Sequence, residues 1–305
     1  MSIISTLRET IHPFGRRSNS RREGRQQLIS ALRYRARVRI SRGDPLAARL
    51  TAKGALRVPE VTVAFWVIKG LSTAMGEATS DFMVHTINPY AAVFLGFAAF
   101  LVALLLQFKR ARYDPWTYWL AVVMVGVFGT MAADVLHVAL GVAYGLSTIL
   151  YAFLLATVFV TWKRTEKTLS FHSVNTPRRE GFYWLAVAAT FAMGTALGDL
   201  TAYTLHMGYF PSAALFAGVI AIPAIGYRLL QWNPVFSFWF AYVMTRPLGA
   251  SIADGLGKPK SVSGMGFGNG WIALIFAVAI FAMVAYLATT RADVQKGSAV
   301  EADPA

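Results

Sequence analysis

Four aspartates recur at matching places in four similar stretches of the sequence. Each stretch has a Trp, a Gly ten residues later and an Asp five residues after that; the copies are Trp66–Gly76–Asp81, Trp119–Gly129–Asp134, Trp184–Gly194–Asp199 and Trp239–Gly249–Asp254. All four lie in apolar segments. A carboxylate in a membrane-spanning segment costs roughly 2.5–3.5 kcal/mol on insertion scales, so it is rare there without a role. The chemistry that four equivalent carboxylates offer is the binding of a cation or of protons.

Further charged residues lie in the same stretches. Glu77 precedes Asp81 by four residues, so the two carboxylates share one face of a helix. Arg246 precedes Asp254 by eight residues, and we expect it to set the electric field at the carboxylates. Lys69 either contributes to that field or extends to the cytoplasmic surface, as long basic side chains near helix ends do.

Histidines follow three of the aspartates. His85, His137 and His206 lie three to seven residues after the aspartate of their repeat. Carboxylate together with imidazole favours Mn²⁺, Fe²⁺ or Zn²⁺ over an alkali ion. The fourth repeat has no such histidine, so ordinary histidines at the membrane interface are the alternative. The chain has no cysteine, which excludes disulfides and thiolate metal sites.

Composition and hydropathy predict the elements that position these residues. Of the 305 residues, 56% are apolar and 14% charged, whereas a soluble protein carries roughly a quarter charged residues. Stretches long enough to cross a bilayer cover residues 61–86, 90–108, 116–139, 143–162, 182–206, 211–230, 234–256 and 270–290. We therefore predict an all-α integral membrane protein with about eight transmembrane helices arranged as four parallel helical-hairpin repeats.

Each hairpin combines a motif helix, which carries the Trp, Gly and Asp, with a plainer apolar helix. The motif glycines allow helix backbones to approach closely in lipid; they are Gly76, Gly129, Gly194 and Gly249. Trp near a helix end suits packing or an interfacial anchor. All motif helices are odd-numbered spans, so we expect them to run in the same direction.

Loop charges predict the orientation of the chain. Lys and Arg follow every even-numbered span, whereas the loops after spans one, three and five have none. Positive loops stay in the cytoplasm, so both termini are expected there, with Lys258 and Lys260 after span seven as the exception. The predicted organisation is a basic cytoplasmic segment (1–58), a transmembrane domain (59–291) and a cytoplasmic C-terminal tail (292–305).

The formal net charge of +14 is concentrated in the N-terminal segment. That segment has no apolar core of signal-peptide type. It is interpreted as a basic amphipathic helix on anionic lipid, as a disordered tail, or as an overlong start of the chain. An unknown protein is the alternative partner; nucleic acid is not expected. The sequence indicates no oligomeric state.

Two segments resemble a known family. Leu169–Trp184 and Thr245–Asp254 are similar to bacterial multi-span proteins described as uncharacterised membrane-anchored proteins. The resemblance covers about residues 57–290 and implies a multi-pass protein of the bacterial inner membrane. Gly198-Asp199 and Glu77 resemble, more weakly, the acidic-Gly-Asp motifs of small calcium/manganese–proton antiporters. The Lys/Arg-Thr that follows in those motifs is missing here.

These observations lead to two hypotheses about function. The first is a secondary transporter that exports a divalent metal ion, with Mn²⁺ favoured, in exchange for protons at Glu77 and the four aspartates. The alternative is a non-transporting scaffold or sensor, in which the aspartates clamp the helices and the basic segment recruits a partner or anionic lipid. Hydrolase, ATPase and dinucleotide-binding motifs are missing from the sequence, so we predict neither an enzyme nor a permanently bound cofactor.

Overall fold

The computed structural model describes residues 56–294, most of which lie in eight long helices. In chain order these are α1 (Val63–Thr86), α2 (Pro89–Phe108), α3 (Pro115–Asp134), α4 (Tyr144–Glu166), α5 (Pro177–Asp199), α6 (Tyr209–Leu229), α7 (Pro234–Gly257) and α8 (Asn269–Thr290). Eight helices, with no strand between residues 56 and 294, confirm the predicted fold class. Almost all of the predicted N-terminal segment and residues 295–305 of the tail lie outside the described residues.

Six of the eight helices are long and apolar enough to cross a membrane, judged by length and composition. The other two, α1 and α7, carry the charged residues Lys69, Glu77 and Arg246. The protein is therefore a membrane-embedded helical protein, and the two helices outside this set of six both belong to the motif set.

Helix starts follow a simple local rule. In α2, α3, α5 and α7 a capping side chain accepts a backbone N–H of the first turn and precedes a proline; the caps are Asn88, Asp114, Thr176 and Asn233. Such caps satisfy the free N–H groups of a helix start, and proline suits the first position because it has no N–H. Helix α5 thus begins at Pro177, before the predicted residue 182, because its first turn is charged and hydropathy did not include it.

The four motif helices α1, α3, α5 and α7 form a closed ring, in which each packs against the next and α7 packs against α1. The plainer helices lie outside the ring. Each of them packs mainly against the motif helix that follows it, so that α2 lies on α3, α4 on α5, α6 on α7 and α8 on α1. Each hairpin is therefore joined to the next one by packing, and the last hairpin is joined to the first.

A motif glycine lies at every contact between neighbouring motif helices. A Cβ atom on each glycine would meet the next helix at a distance shorter than a normal van der Waals contact. These distances are 2.7 Å from Gly76 to the Gly126 backbone, 2.8 Å from Gly129 to Phe191, 2.6 Å from Gly194 to Arg246 and 1.9 Å from Gly249 to Thr73. The ring closes around four equivalent places at which only glycine fits.

Aromatic side chains fill one end of the ring, called here the aromatic end. The residue before each motif Trp contributes a ring: Phe65, Tyr118, Tyr183 and Phe238. The hydroxyls of Tyr118 and Tyr183 lie 2.6 Å apart. Phe171, from the loop after α4, packs against Phe238 and Phe65 with centroid distances of 4.7 and 5.7 Å. The motif tryptophans Trp119, Trp184 and Trp239 are buried here, so they pack in the core and are not interfacial anchors.

The segment before α1 lies across the aromatic end. Nη1 of Arg57 forms an ion pair of 2.5 Å with the buried carboxylate of Glu180, and Nε2 of Gln107 donates to the same carboxylate at 2.9 Å. The backbone N–H of Glu60 donates to the carbonyl of Asp293 at 2.7 Å. This segment and Phe171 together close the aromatic end of the ring.

We expect Gly76→Ala to lower the free energy of unfolding by roughly 1–3 kcal/mol, because the new methyl group would overlap the rigid backbone of Gly126. Gly70→Ala is the matched control on the same helix, since a Cβ there has no atom within 4 Å. Thermal unfolding of the purified protein in detergent measures both. Equal melting temperatures for the two variants would show that the ring does not depend on close approach at Gly76.

Candidate cation site

Residues spaced four apart on each motif helix line the inside of the ring. Counted from the motif Trp, positions +3, +7, +11 and +15 follow one another along one helix face. Position +15 is the aspartate of every repeat; position +11 holds Glu77, Thr130, Thr195 and Ala250, and position +7 holds Thr73, Gly126, Phe191 and Arg246. The interior is therefore layered, and the repeats differ in every layer below the aspartates.

An ion pair between Arg246 and Glu77 lies at the centre of the interior. Nη2 of Arg246 is 2.6 Å from Oε2 of Glu77, and the two side chains are 0% and 4% exposed. The same Nη2 donates to the hydroxyl of Thr195 at 2.7 Å and to that of Thr130. These partners belong to α1, α5 and α3. One guanidinium on α7 thus contacts all three other motif helices.

Lys258 lies between two of the aspartates, at the opposite end of the ring from the aromatic end, called here the carboxylate end. Its Nζ is 2.9 Å from Oδ2 of Asp254 and 3.5 Å from Oδ2 of Asp81. The amide of Asn269 donates to the same oxygen of Asp81 at 3.1 Å. The inward direction of Lys258 gives a physical reason for the exception to the loop-charge rule, because this lysine is a partner of buried carboxylates.

Three carboxylates form a group that could hold a metal ion. Glu77, Asp81 and Asp254 each offer one oxygen, and these oxygens lie within 4.8 Å of one another. Among the described residues, no other group of three or more such ligands occurs. A set of carboxylate oxygens suits hard cations such as Mg²⁺, Ca²⁺ and Mn²⁺. The group draws on α1 and α7, that is, on the first and fourth repeats.

Asp134 and Asp199 stay outside this group. Both are half-buried, and each ends its α-helix and precedes a π-helical turn, Val135–Ala139 or Leu200–Thr204. Such turns are frequent at functional sites. Within residues 56–294 neither carboxylate has a hydrogen-bond or ion-pair partner. The four aspartates are thus divided into a pair bridged by Lys258 and a pair followed by π-helical turns.

None of the three histidines belongs to the carboxylate group. Nδ1 of the exposed His85 lies 2.6 Å from the carbonyl oxygen of Asp81, on its own helix. Nδ1 of His137 lies 2.7 Å from the carbonyl oxygen of Val142, and His206 is exposed. The ligand set assembled by the ring is therefore built from carboxylates alone.

Lys69 is fully buried, so the interpretation that it reaches the cytoplasmic surface is wrong. Its Nζ lies 4.3 Å from the ring centroid of Phe191 and 4.4 Å from that of Tyr242. Among the described residues this ammonium has no hydrogen-bond partner. Lys69 is buried because it lies at position +3 on the interior face, one layer below Arg246, where aromatic side chains surround it.

The sequence did not lead us to predict three side chains of the candidate site, Thr130, Thr195 and Lys258. Aligning the four repeats on their Trp places Thr130 and Thr195 at the position of Glu77, a signal that was available. Lys258 follows Asp254 by four residues, the spacing of an ion pair on a helix. The sequence did not predict that its side chain points inwards, because Lys258 lies just after the end of α7, where a side chain can also point into the loop.

The four repeats coincide with the unit of a known family. A family model described as a Repeat of Unknown Function, DUF347, matches residues 64–113, 117–168, 182–231 and 237–293. These matches cover more than half of the chain. The chain belongs to the DUF347 family. Each DUF347 unit holds one motif helix and the plainer helix after it, which agrees with the four predicted hairpins.

The DUF347 match agrees with the resemblance to an uncharacterised multi-span family and gives no support to the weaker antiporter resemblance. No curated protein and no solved structure matches the chain.

We expect Arg246→Met to destabilise the protein by roughly 3–5 kcal/mol, because it leaves the carboxylate of Glu77 buried without its partner. Arg228→Met is the control, since Arg228 is exposed on α6. Unfolding in detergent measures both variants.

The double variant Arg246→Met/Glu77→Gln tests the pairing itself. Removing the second charge should recover part of the lost stability, so the two effects should not add. Additive losses, or an Arg246→Met variant as stable as Arg228→Met, would contradict the assignment of this ion pair as the centre of the ring.

Proposed function

We propose that this DUF347 protein is a secondary transporter that exports a divalent metal ion, with Mn²⁺ favoured, in exchange for protons. The observation that carries the proposal is the group formed by Glu77, Asp81 and Asp254, whose oxygens lie within 4.8 Å of one another in membrane helices. Carboxylate oxygens are ligands that suit Mn²⁺. Neither an enzymatic activity nor a permanently bound cofactor forms part of the proposal.

The excess of carboxylates over basic side chains inside the ring supports the binding of a transported cation. Apart from the Glu180–Arg57 pair at the aromatic end, the motif helices carry five interior carboxylates, namely Glu77, Asp81, Asp134, Asp199 and Asp254. The basic side chains that face them are Lys69, Arg246 and, directly after α7, Lys258. Unpaired carboxylates in a membrane interior are costly, so a divalent ion or bound protons relieve the excess of negative charge.

Exchange follows from the ligand chemistry. A carboxylate must lose its proton to bind a metal ion, so metal binding releases protons and protonation releases the metal. We assign ion binding to Glu77, Asp81 and Asp254, and further cation or proton binding to Asp134 and Asp199. Arg246 and Lys69 set the local electric field.

The two ends of the ring differ in access. At the carboxylate end the side chains of Asp81 and Lys258 are 12% and 19% exposed, whereas Phe171 and the segment before α1 cover the aromatic end. With both termini in the cytoplasm of a bacterial inner membrane, this conformation presents the site to the exterior. Export then requires the aromatic end to open.

The alternative is a scaffold or sensor, and one observation favours it. Lys258 joins Asp81 of α1 to Asp254 of α7, and Arg246 joins the same two helices through Glu77. In that function the charges hold the ring closed, and the basic N-terminal segment binds anionic lipid or a protein partner. The two functions differ in whether the carboxylates are needed for ion movement or only for stability.

We expect Asp81→Asn and Asp254→Asn each to abolish Mn²⁺ export, because each removes a charged ligand. Uptake of Mn²⁺ into everted membrane vesicles under a pH gradient measures the activity. Asp114→Asn is the control, because Asp114 caps α3 and asparagine caps a helix equally well.

The interpretation of a loss requires a folded variant. Melting temperatures of the same proteins in detergent give this check. Full export by every Asp→Asn variant would rule out the transport proposal. Wild-type vesicles without Mn²⁺ uptake, combined with strongly destabilised Asp→Asn variants, would favour the scaffold.

A further inference from the structure

We infer that Lys258 is a tethered cation that competes with the transported ion for the carboxylates of Asp81 and Asp254. This inference rests on the proposed function, and it specifies what controls the occupancy of the cation site.

The surroundings of the Lys258 ammonium are those of a built cation site. Its Nζ contacts carboxylate oxygens of Asp254 at 2.9 Å and Asp81 at 3.5 Å, and it donates to the hydroxyl of Tyr203 at 3.0 Å. The rings of Tyr203 and Tyr209 lie 5.5 and 5.6 Å from it. Charged acceptors and aromatic faces within about 6 Å are the features that bind an ammonium group.

The ammonium and a metal ion exclude each other at this place. The Lys258 ammonium forms ion pairs with Oδ2 of Asp254 and Oδ2 of Asp81. Both aspartates also belong to the carboxylate group that could hold a metal ion. A hard divalent cation binds oxygen at about 2.0–2.6 Å. An ammonium held by the same carboxylates would then lie next to a like charge in a poorly hydrated interior. Metal binding therefore requires Lys258 to leave.

The structure lets the side chain leave while the backbone stays. The N–H of Lys258 donates to the carbonyl of Asp254 at 2.9 Å, and the carbonyl of Lys258 accepts from Gly266 at 2.9 Å. The side chain itself follows the last turn of α7 and is 19% exposed at the carboxylate end. Rotation of the lysine outwards therefore needs no movement of the motif helices.

A tethered cation also explains how the site tolerates being empty. Two carboxylates without a counter-ion are costly inside a membrane. Lys258 supplies one positive charge between Asp81 and Asp254 whenever the metal ion is absent. The measured affinity for the metal is then the intrinsic affinity multiplied by the fraction of time that the lysine leaves the site free.

The test is calorimetric titration of purified protein in detergent with MnCl₂. Removal of the ammonium in Lys258→Met should tighten Mn²⁺ binding by about tenfold, as expected if the lysine occupies the site for about nine-tenths of the time. Lys260→Met is the matched control: Lys260 is exposed in the same loop, and its loss removes the same charge without opening the site. Its affinity should equal that of the wild type.

Lys258→Gln provides a second variant in case Lys258→Met does not fold, because glutamine keeps a hydrogen-bond donor but no charge; the same tightening is expected. Unchanged or weaker Mn²⁺ binding by the folded Lys258 variants, with binding by the wild type, would overturn the competition and leave the cation site standing. Equal tightening in Lys260→Met would also overturn it, because the effect would then be one of net charge. No binding by the wild type or by any variant would overturn both proposals.

Discussion

The guanidinium of Arg246 is the interaction on which the rest of the ring depends. It contacts Glu77, Thr130 and Thr195, one from each of the other motif helices. A buried charge is tolerated only when it is paired and hydrogen-bonded, so the four helices must keep the register that brings these groups together. Close approach makes this possible: a Cβ at Gly194 would lie 2.6 Å from Cβ of Arg246.

The four repeats share one backbone arrangement but differ in the charged and polar side chains that face the interior of the ring. The aromatic residues, the glycines and the aspartates keep the repeat and build a closed ring. The layers between them differ, because one repeat supplies Glu77 and another supplies Arg246 at a different level. Lys258 adds to this asymmetry by pairing only two of the four aspartates. The repeat thus provides the frame, and the differences between copies place the candidate cation site between the first and fourth repeats and not on the fourfold axis.

Patterns of hydropathy and spacing predicted the eight helices and the common direction of the motif set, because these features follow from local sequence. They did not predict that each plainer helix packs on the next motif helix, since that depends on how the ring closes. The burial of Lys69 and the inward direction of Lys258 were missed for a related reason. A basic residue near a helix end has two possible directions, and only its tertiary neighbours choose between water and the interior.

We propose that Glu77, Asp81 and Asp254 form a binding site for a hard divalent cation. Its most direct test is the melting temperature of the wild-type protein in detergent with Mn²⁺, Ca²⁺, Mg²⁺ or Zn²⁺ added in turn, because an ion that binds only the folded state raises that temperature. We expect a selective rise with Mn²⁺ that is lost in folded Asp81→Asn protein. A melting temperature that no cation changes, or a rise that persists in Asp81→Asn, would contradict it.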